Sequence, residues 1–135
     1  MTELLYILNA LYTFYKSCHW KSQGDFFYQD HLLFERLYSK LDDEMDGLVE
    51  LIIGLADDRA FADPKLINTK TQDYTPTYGS NNQENFIKAL QLENVLLSSI
   101  QAIPQGSDVG TYNHIADIAE NHRRNVYLLK SSLSK

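Results

Sequence analysis

The 135-residue sequence holds one cysteine, three prolines and six glycines. A single Cys18 cannot form an internal disulfide, which removes the disulfide-stapled class and fits a reducing compartment such as the cytoplasm. Scarce proline and glycine leave long stretches free to be helical. No apolar run reaches the length needed to span a membrane, and Leu48 to Ala56 is short and interrupted by Glu50. No basic region precedes the first apolar residues, so no secretory signal is expected. Basic residues are also few: 12 Lys plus Arg stand against 18 Asp plus Glu, a formal net charge of −6. An acidic chain repels phosphate backbones, which argues against generic nucleic-acid binding. The composition, 44% hydrophobic and 12% aromatic, is that of one globular domain over residues 1–135 with a substantial core.

Apolar periodicity predicts an all-α chain. Residues 2 to about 22 read as a first helix, with Thr2 as cap, a stripe of Leu4, Leu8, Leu11, Tyr15 and Cys18, and Gly24 as a stop. A long second helix is expected from about Asp25 to Leu55, with Phe27, His31, Phe34, Tyr38, Leu41, Met45, Leu48 and Ile52 alternating by four and three. Residues 57 to 80 lose the pattern, apart from a short helical turn expected at Asp63-Pro64. A connection of that length lets the second and third helices run parallel. The third helix opens with the capping-box spelling Ser80-Asn81-Asn82-Gln83, continues through Phe86, Leu90, Leu97 and Ile100, and ends at Pro104 and Gly106. The fourth follows Ser107-Asp108 with Tyr112, Ile115, Ala119, His122, Val126, Leu129 and Leu133. These elements compose a four-helix bundle with one long crossover between helices two and three, the ferritin-like topology.

His19, His31, Glu35, Asp46 and Glu50 stand out as metal-ligand candidates. Imidazole and carboxylate together suit iron, zinc or manganese, and carboxylate-rich sets favour iron or manganese. His31 and Glu35 lie one turn apart, as do Asp46 and Glu50. Asp46, however, is fifteen residues beyond His31, roughly 22 Å along a straight helix. Metal–ligand bonds are only about 2 Å long. Either the two groups serve different purposes, or an ion sits between two chains across a two-fold axis, which would create two identical sites. The Glu-x-x-His signature of a self-contained di-iron bundle is absent at all four histidines. The bland alternatives are a hydrogen-bonded core or interface histidine for His31 and His19, and a solvated acidic face shared with Asp42, Asp43 and Glu44 for Asp46 and Glu50. His122, on the apolar stripe, reads as a packed histidine and His114 as structural or surface.

His19-Trp20, Gly24, His31-Leu32-Leu33-Phe34-Glu35 and Asp46-Gly47-Leu48-Val49-Glu50 together resemble the Dps mini-ferritins, the DNA-binding proteins from starved cells. The match in spacing covers residues 19 to 50, and the bundle plan extends it over most of the chain. The resemblance implies a hollow twelve-subunit shell that oxidises iron(II) at two-fold interfaces, characteristically with hydrogen peroxide, and stores the ferric mineral. It implies that His19 and His31 are ligands from one chain, that Asp46 and Glu50 come from its partner with Glu50 bridging, and that Glu35 holds a first-chain acidic position more often occupied by Asp. It also implies that Trp20 is an electron donor beside the site, with zinc or manganese able to replace iron and oxygen as an alternative oxidant. Asp108 is a candidate for an iron-entry pore, or else an ordinary acid at a helix N-terminus.

The chain departs from many members in having no Lys/Arg-rich tail around Met1-Thr2 or in Ser131-Ser132-Leu133-Ser134-Lys135, so DNA binding is expected to be weak or absent. Three further readings remain open. One is a metal-sequestering shell without turnover, the second a DNA-compacting protein, the third a bundle used only for protein contacts.

Overall fold

The computed structural model describes residues 1–104, 106 and 108–134. Ser107 and Lys135, both used in the sequence reading, lie outside the described residues. Among the described residues the helices are α1 (Thr2–Lys21), α2 (Phe27–Tyr38), α3 (Leu41–Ala56), α4 (Pro64–Tyr74), α5 (Asn82–Gln101) and α6 (Val109–Leu133), with a 3₁₀ turn at Ala60–Ala62. The protein is an all-α, ferritin-like bundle. Helix α1 packs against α2, α3, α4 and α5; α5 packs on α6, which also meets α3.

Helix α1 follows its periodicity closely. Leu4, Leu8, Leu11, Tyr15 and Cys18 are all buried, and so are Leu5, Tyr6, Ile7, Ala10 and Phe14. The buried stripe is therefore wider than the predicted seam, because α1 is covered on several sides. Its N-cap is Met1 rather than Thr2, with no side-chain cap. After Ser22 the chain turns through Gly24 at φ +103°, a conformation that costs glycine little. The turn is tied to the start of α5. Asn82 donates to Ser22 Oγ at 3.0 Å, the Gln23 carbonyl at 2.9 Å and Asp30 Oδ2 at 3.0 Å.

The expected long second helix is two helices. It breaks at Ser39-Lys40, between α2 and α3. Both residues keep right-handed dihedrals, but Ser39 Oγ donates to the Arg36 carbonyl at 2.9 Å, and Lys40 sits at φ −100°, ψ −5°. A serine hydroxyl bonded back to its own turn is a common cause of a bend. Phe27, assigned to the stripe, is 42% exposed, while Leu37 joins Phe34, Leu41, Leu48 and Ile52 inside.

The crossover also holds more than a single turn. Asp63 caps α4 by accepting from the amides of Lys65 and Leu66, with Pro64 at the first helical position. The resulting 11-residue helix packs on α1, tethered by Asn9 donating to Thr71 Oγ1 at 3.0 Å. Helix α5 begins one residue later than the capping spelling placed it. Asn81 accepts from the Glu84 amide, and Glu84 Oε2 accepts from the amide and hydroxyl of Ser80, each at 2.8 Å. Its core residues are Phe86, Ala89, Leu92 and Leu96, whereas Leu90 and Ile100 are only partly buried. Asp108 is the α6 cap, its Oδ2 accepting from the Thr111 amide at 2.8 Å and hydroxyl at 2.6 Å.

Candidate metal centre

Two helix ends bring His19 and His31 together. His19 lies in the last turn of α1 and His31 in the second turn of α2. Their rings stack with centroids 3.7 Å apart and planes 16° from parallel. The contact is reciprocal: His19 Nδ1–H donates to the His31 carbonyl and His31 Nδ1–H donates to the His19 carbonyl, each at 2.8 Å. A carbonyl can only accept, so both Nδ1 atoms must carry the proton. In the neutral rings both Nε2 atoms then present lone pairs. Metal-binding histidines are commonly oriented in this way, with the non-ligating nitrogen held by a backbone carbonyl.

The surroundings of the pair are aromatic. Phe27 stacks on His31 at 5.1 Å and Tyr38 meets His19 edge-on at 5.6 Å. Trp20, Phe26, Phe27, Tyr28 and Leu32 are all more than 40% exposed around it. So many large apolar side chains in one region are unusual for a surface that faces only water. The Lys16 ammonium lies 5.4 Å from the Trp20 ring centroid and 5.0 Å from that of Tyr12.

Asp46 and Glu50 sit elsewhere on the same chain. They are exposed on α3 and line a groove of about 330 Å³ with Leu5, Asn9, Asp42, Met45, Val49, Ala62 and Ile67. Neither side chain makes a hydrogen bond or ion pair within the chain among the described residues, and the same holds for the side chain of Glu35, which is exposed on α2. No three His, Cys, Asp or Glu side chains of one chain are grouped to hold a metal ion among the described residues. The histidines are thus brought together and the two carboxylates are brought together, but the two sets are not joined within a chain. Asp43 is exposed, and Asp42 Oδ2 accepts from the Tyr12 hydroxyl at 3.1 Å.

Sequence reasoning placed Glu44 with the solvated acids, and this is corrected: Glu44 is 6% exposed. It belongs to a buried network drawn from α1, α3, α5 and α6. His122 (α6) faces Glu44 Oε1 (α3) through Nε2 at 2.9 Å and Glu93 Oε2 (α5) through Nδ1 at 2.6 Å. Tyr15 (α1) donates to Glu93 Oε1 at 2.5 Å, and Asn125 Nδ2 donates to the same oxygen at 3.1 Å. Carboxylates only accept, so His122 with both nitrogens engaged is an imidazolium. Burial alone would lower its pKa, but Glu93 and Glu44 outweigh burial and raise it to about 10. His122 is therefore packed, as expected, but as a charged group rather than an apolar filler. Glu93 carried no sequence signal, since a lone Glu inside an amphipathic helix looks like a surface residue. His114 is partly buried, its ring seated on Gly47 of α3.

Neither a protein-family model nor a curated protein matches the sequence. A solved structure does: the X-ray structure of Dps from Thermosynechococcus elongatus matches with a TM-score of 0.87 and 25% identity, covering 99% of this chain and 89% of that one. The likeness runs through the whole bundle, crossover included. Together with the His19-Trp20, His31 and Asp46/Glu50 spacing, this full-length likeness supports the resemblance to the Dps mini-ferritins.

Proposed function

We propose that the protein is a ferroxidase mini-ferritin whose metal sites form between two copies of the chain. The observation that carries this is the His19–His31 pair, with both Nε2 atoms made available by reciprocal Nδ1–H bonds on an apolar, exposed surface. The carboxylates needed to complete a cage, Asp46 and Glu50, are unpaired beside their own groove. A two-fold axis near the Ser39-Lys40 break, midway in sequence between His31 and the acid pair, would set the histidines of one chain over the acids of its partner. The exposed Phe27, Tyr28 and Leu32 would then be covered by the partner.

In this reading His19 and His31 bind iron(II) as neutral ligands and Asp46 and Glu50 as anionic ones, with Glu50 bridging and Glu35 as an additional first-chain oxygen donor. Carboxylates stabilise iron(III) over iron(II), which lowers the barrier to oxidation. Two iron(II) ions and one hydrogen peroxide consume two protons and give two iron(III) ions and two waters, so no hydroxyl radical is released. Trp20 stands beside the histidines as a donor for stray oxidising equivalents. The iron(III) product passes into the cavity of a twelve-chain shell and is stored there. Oxygen can replace peroxide, and zinc or manganese can occupy the same ligands. A reducing cytoplasm, where iron(II) persists, is the compartment that fits; no helix among the described residues is long and apolar enough to cross a membrane.

The test is peroxide-dependent iron(II) oxidation followed by iron(III) absorbance. His31→Ala and Glu50→Ala should each lower the rate by about 10- to 100-fold, the range for losing a metal-site group. Wild-type rates in both variants would remove the assignment.

A further inference from the structure

The buried network has an electrostatic imbalance. Two carboxylates and one imidazolium leave it with one net negative charge in a core where Tyr15, Glu93 and His122 are each at most 1% exposed. Glu44 Oε2 is buried with no hydrogen-bond partner among the described residues, so the network is not closed on itself. Tyr15 is the group in contact with it that can give up both an electron and a proton. Its hydroxyl lies 2.5 Å from Glu93 Oε1, and its ring is one helical turn from His19 on α1. We propose that Tyr15 is a redox-active tyrosine, oxidised by one electron to a neutral phenoxyl radical while its proton passes to the Glu93 carboxylate.

The balance is simple. The ring loses one electron to the oxidant, the O–H bond breaks, and an O–H bond forms on Glu93. The proton stays in the network, so the net charge rises from −1 to zero. The oxidant is of the one-electron class that arises when iron(II) reduces peroxide incompletely. Only its origin rests on the ferroxidase reading.

Another buried tyrosine supplies the contrast. Tyr6 is 3% exposed, but its hydroxyl donates to the Phe61 backbone carbonyl at 2.9 Å, and an amide oxygen is far too weak a base to take the proton. Tyr6 therefore lacks the partner that makes oxidation possible in a dry site.

The experiment is freeze-quench electron paramagnetic resonance on the assembled protein, with two oxidants. One arm uses iron(II) and peroxide; the other uses a flash-excited ruthenium sensitiser with persulfate and no iron. The expected result is a long-lived tyrosyl signal in both arms, mostly lost in Tyr15→Phe and retained in Tyr6→Phe. Glu93→Gln, which keeps a hydrogen-bond acceptor but no base, should also lose most of it. Equal signals in wild type and Tyr15→Phe would overturn the proposal. If Glu93→Gln does not fold, wild-type radical formation should still slow in deuterium oxide, and identical rates in both solvents would overturn the proton step. A Tyr15 signal in the iron-free arm alone would support Tyr15 and contradict the iron chemistry.

Discussion

His19 and His31 hold each other in one tautomer and one orientation. Each ring is fixed by the other's backbone carbonyl at 2.8 Å, so tautomer and direction are set by the fold. His122 uses the same ring chemistry for the opposite end, with both nitrogens protonated and both committed to buried acids. Its pKa is held at about 10, above the ordinary value of 6.5. A group raised on folding stabilises the protein fully below its unfolded pKa, and that contribution is lost as pH rises through the folded value. Urea midpoints should therefore fall between about pH 6.5 and pH 10 in the wild type. In His122→Gln the fall over that window should largely vanish. Removing one acid, as in Glu93→Ala, breaks a buried pair and leaves the Tyr15, Asn125 and His122 Nδ1 donors without their acceptor, which should cost on the order of 3–5 kcal/mol. A loss below 1 kcal/mol, roughly the worth of a surface pair, would show that the network is not truly buried.

The elements differ in how plainly the sequence announces them. Helix α1 and the existence of α5 and α6 follow from periodicity, because each buries a continuous apolar face. The break at Ser39-Lys40 was not legible, since the stripe runs through it without losing phase and no proline or glycine marks it. Helix α4 was underestimated because it is polar along most of its length and only Thr71 is fully buried. The histidine and carboxylate spacings could be read from the chain. The Glu44–His122–Glu93 network could not, since its members lie 78 and 29 residues apart and pair only across the bundle. Helix packing also explains Gly47. A Cβ there would stand 2.5 Å from His114 Cε1 and 2.8 Å from its Nε2. Gly47→Ala should destabilise by about 1–3 kcal/mol through overpacking, although alanine is the better helix former. In a His114→Ala background the same change should become neutral or stabilising. Chemical denaturation of the four proteins checks this, and equal costs in both backgrounds would mean that the helices do not meet closely at this point.

At the scale of the whole molecule, net charge argues against binding to nucleic acid. With −6 on each chain, a twelve-chain shell would carry roughly −72 before metal binds. Gel shifts near physiological salt should show no stable DNA complex, and tight binding there would contradict the acidic-surface argument. In the proposed function, assembly is tied to the chemistry, because the histidines and the acids of one chain are not grouped around a common point among the described residues. The most direct measurement is complementation between two inactive variants. Subunits carrying His31→Ala and subunits carrying Glu50→Ala are dissociated, mixed and reassembled, and peroxide-dependent iron(II) oxidation is recorded. In a mixed pair, one site receives intact histidines from one chain and intact acids from the other. Random pairing should restore roughly a quarter of wild-type activity from two parents that have almost none. Mixtures that stay as inactive as their parents, despite confirmed exchange of subunits, would contradict a cage shared between chains.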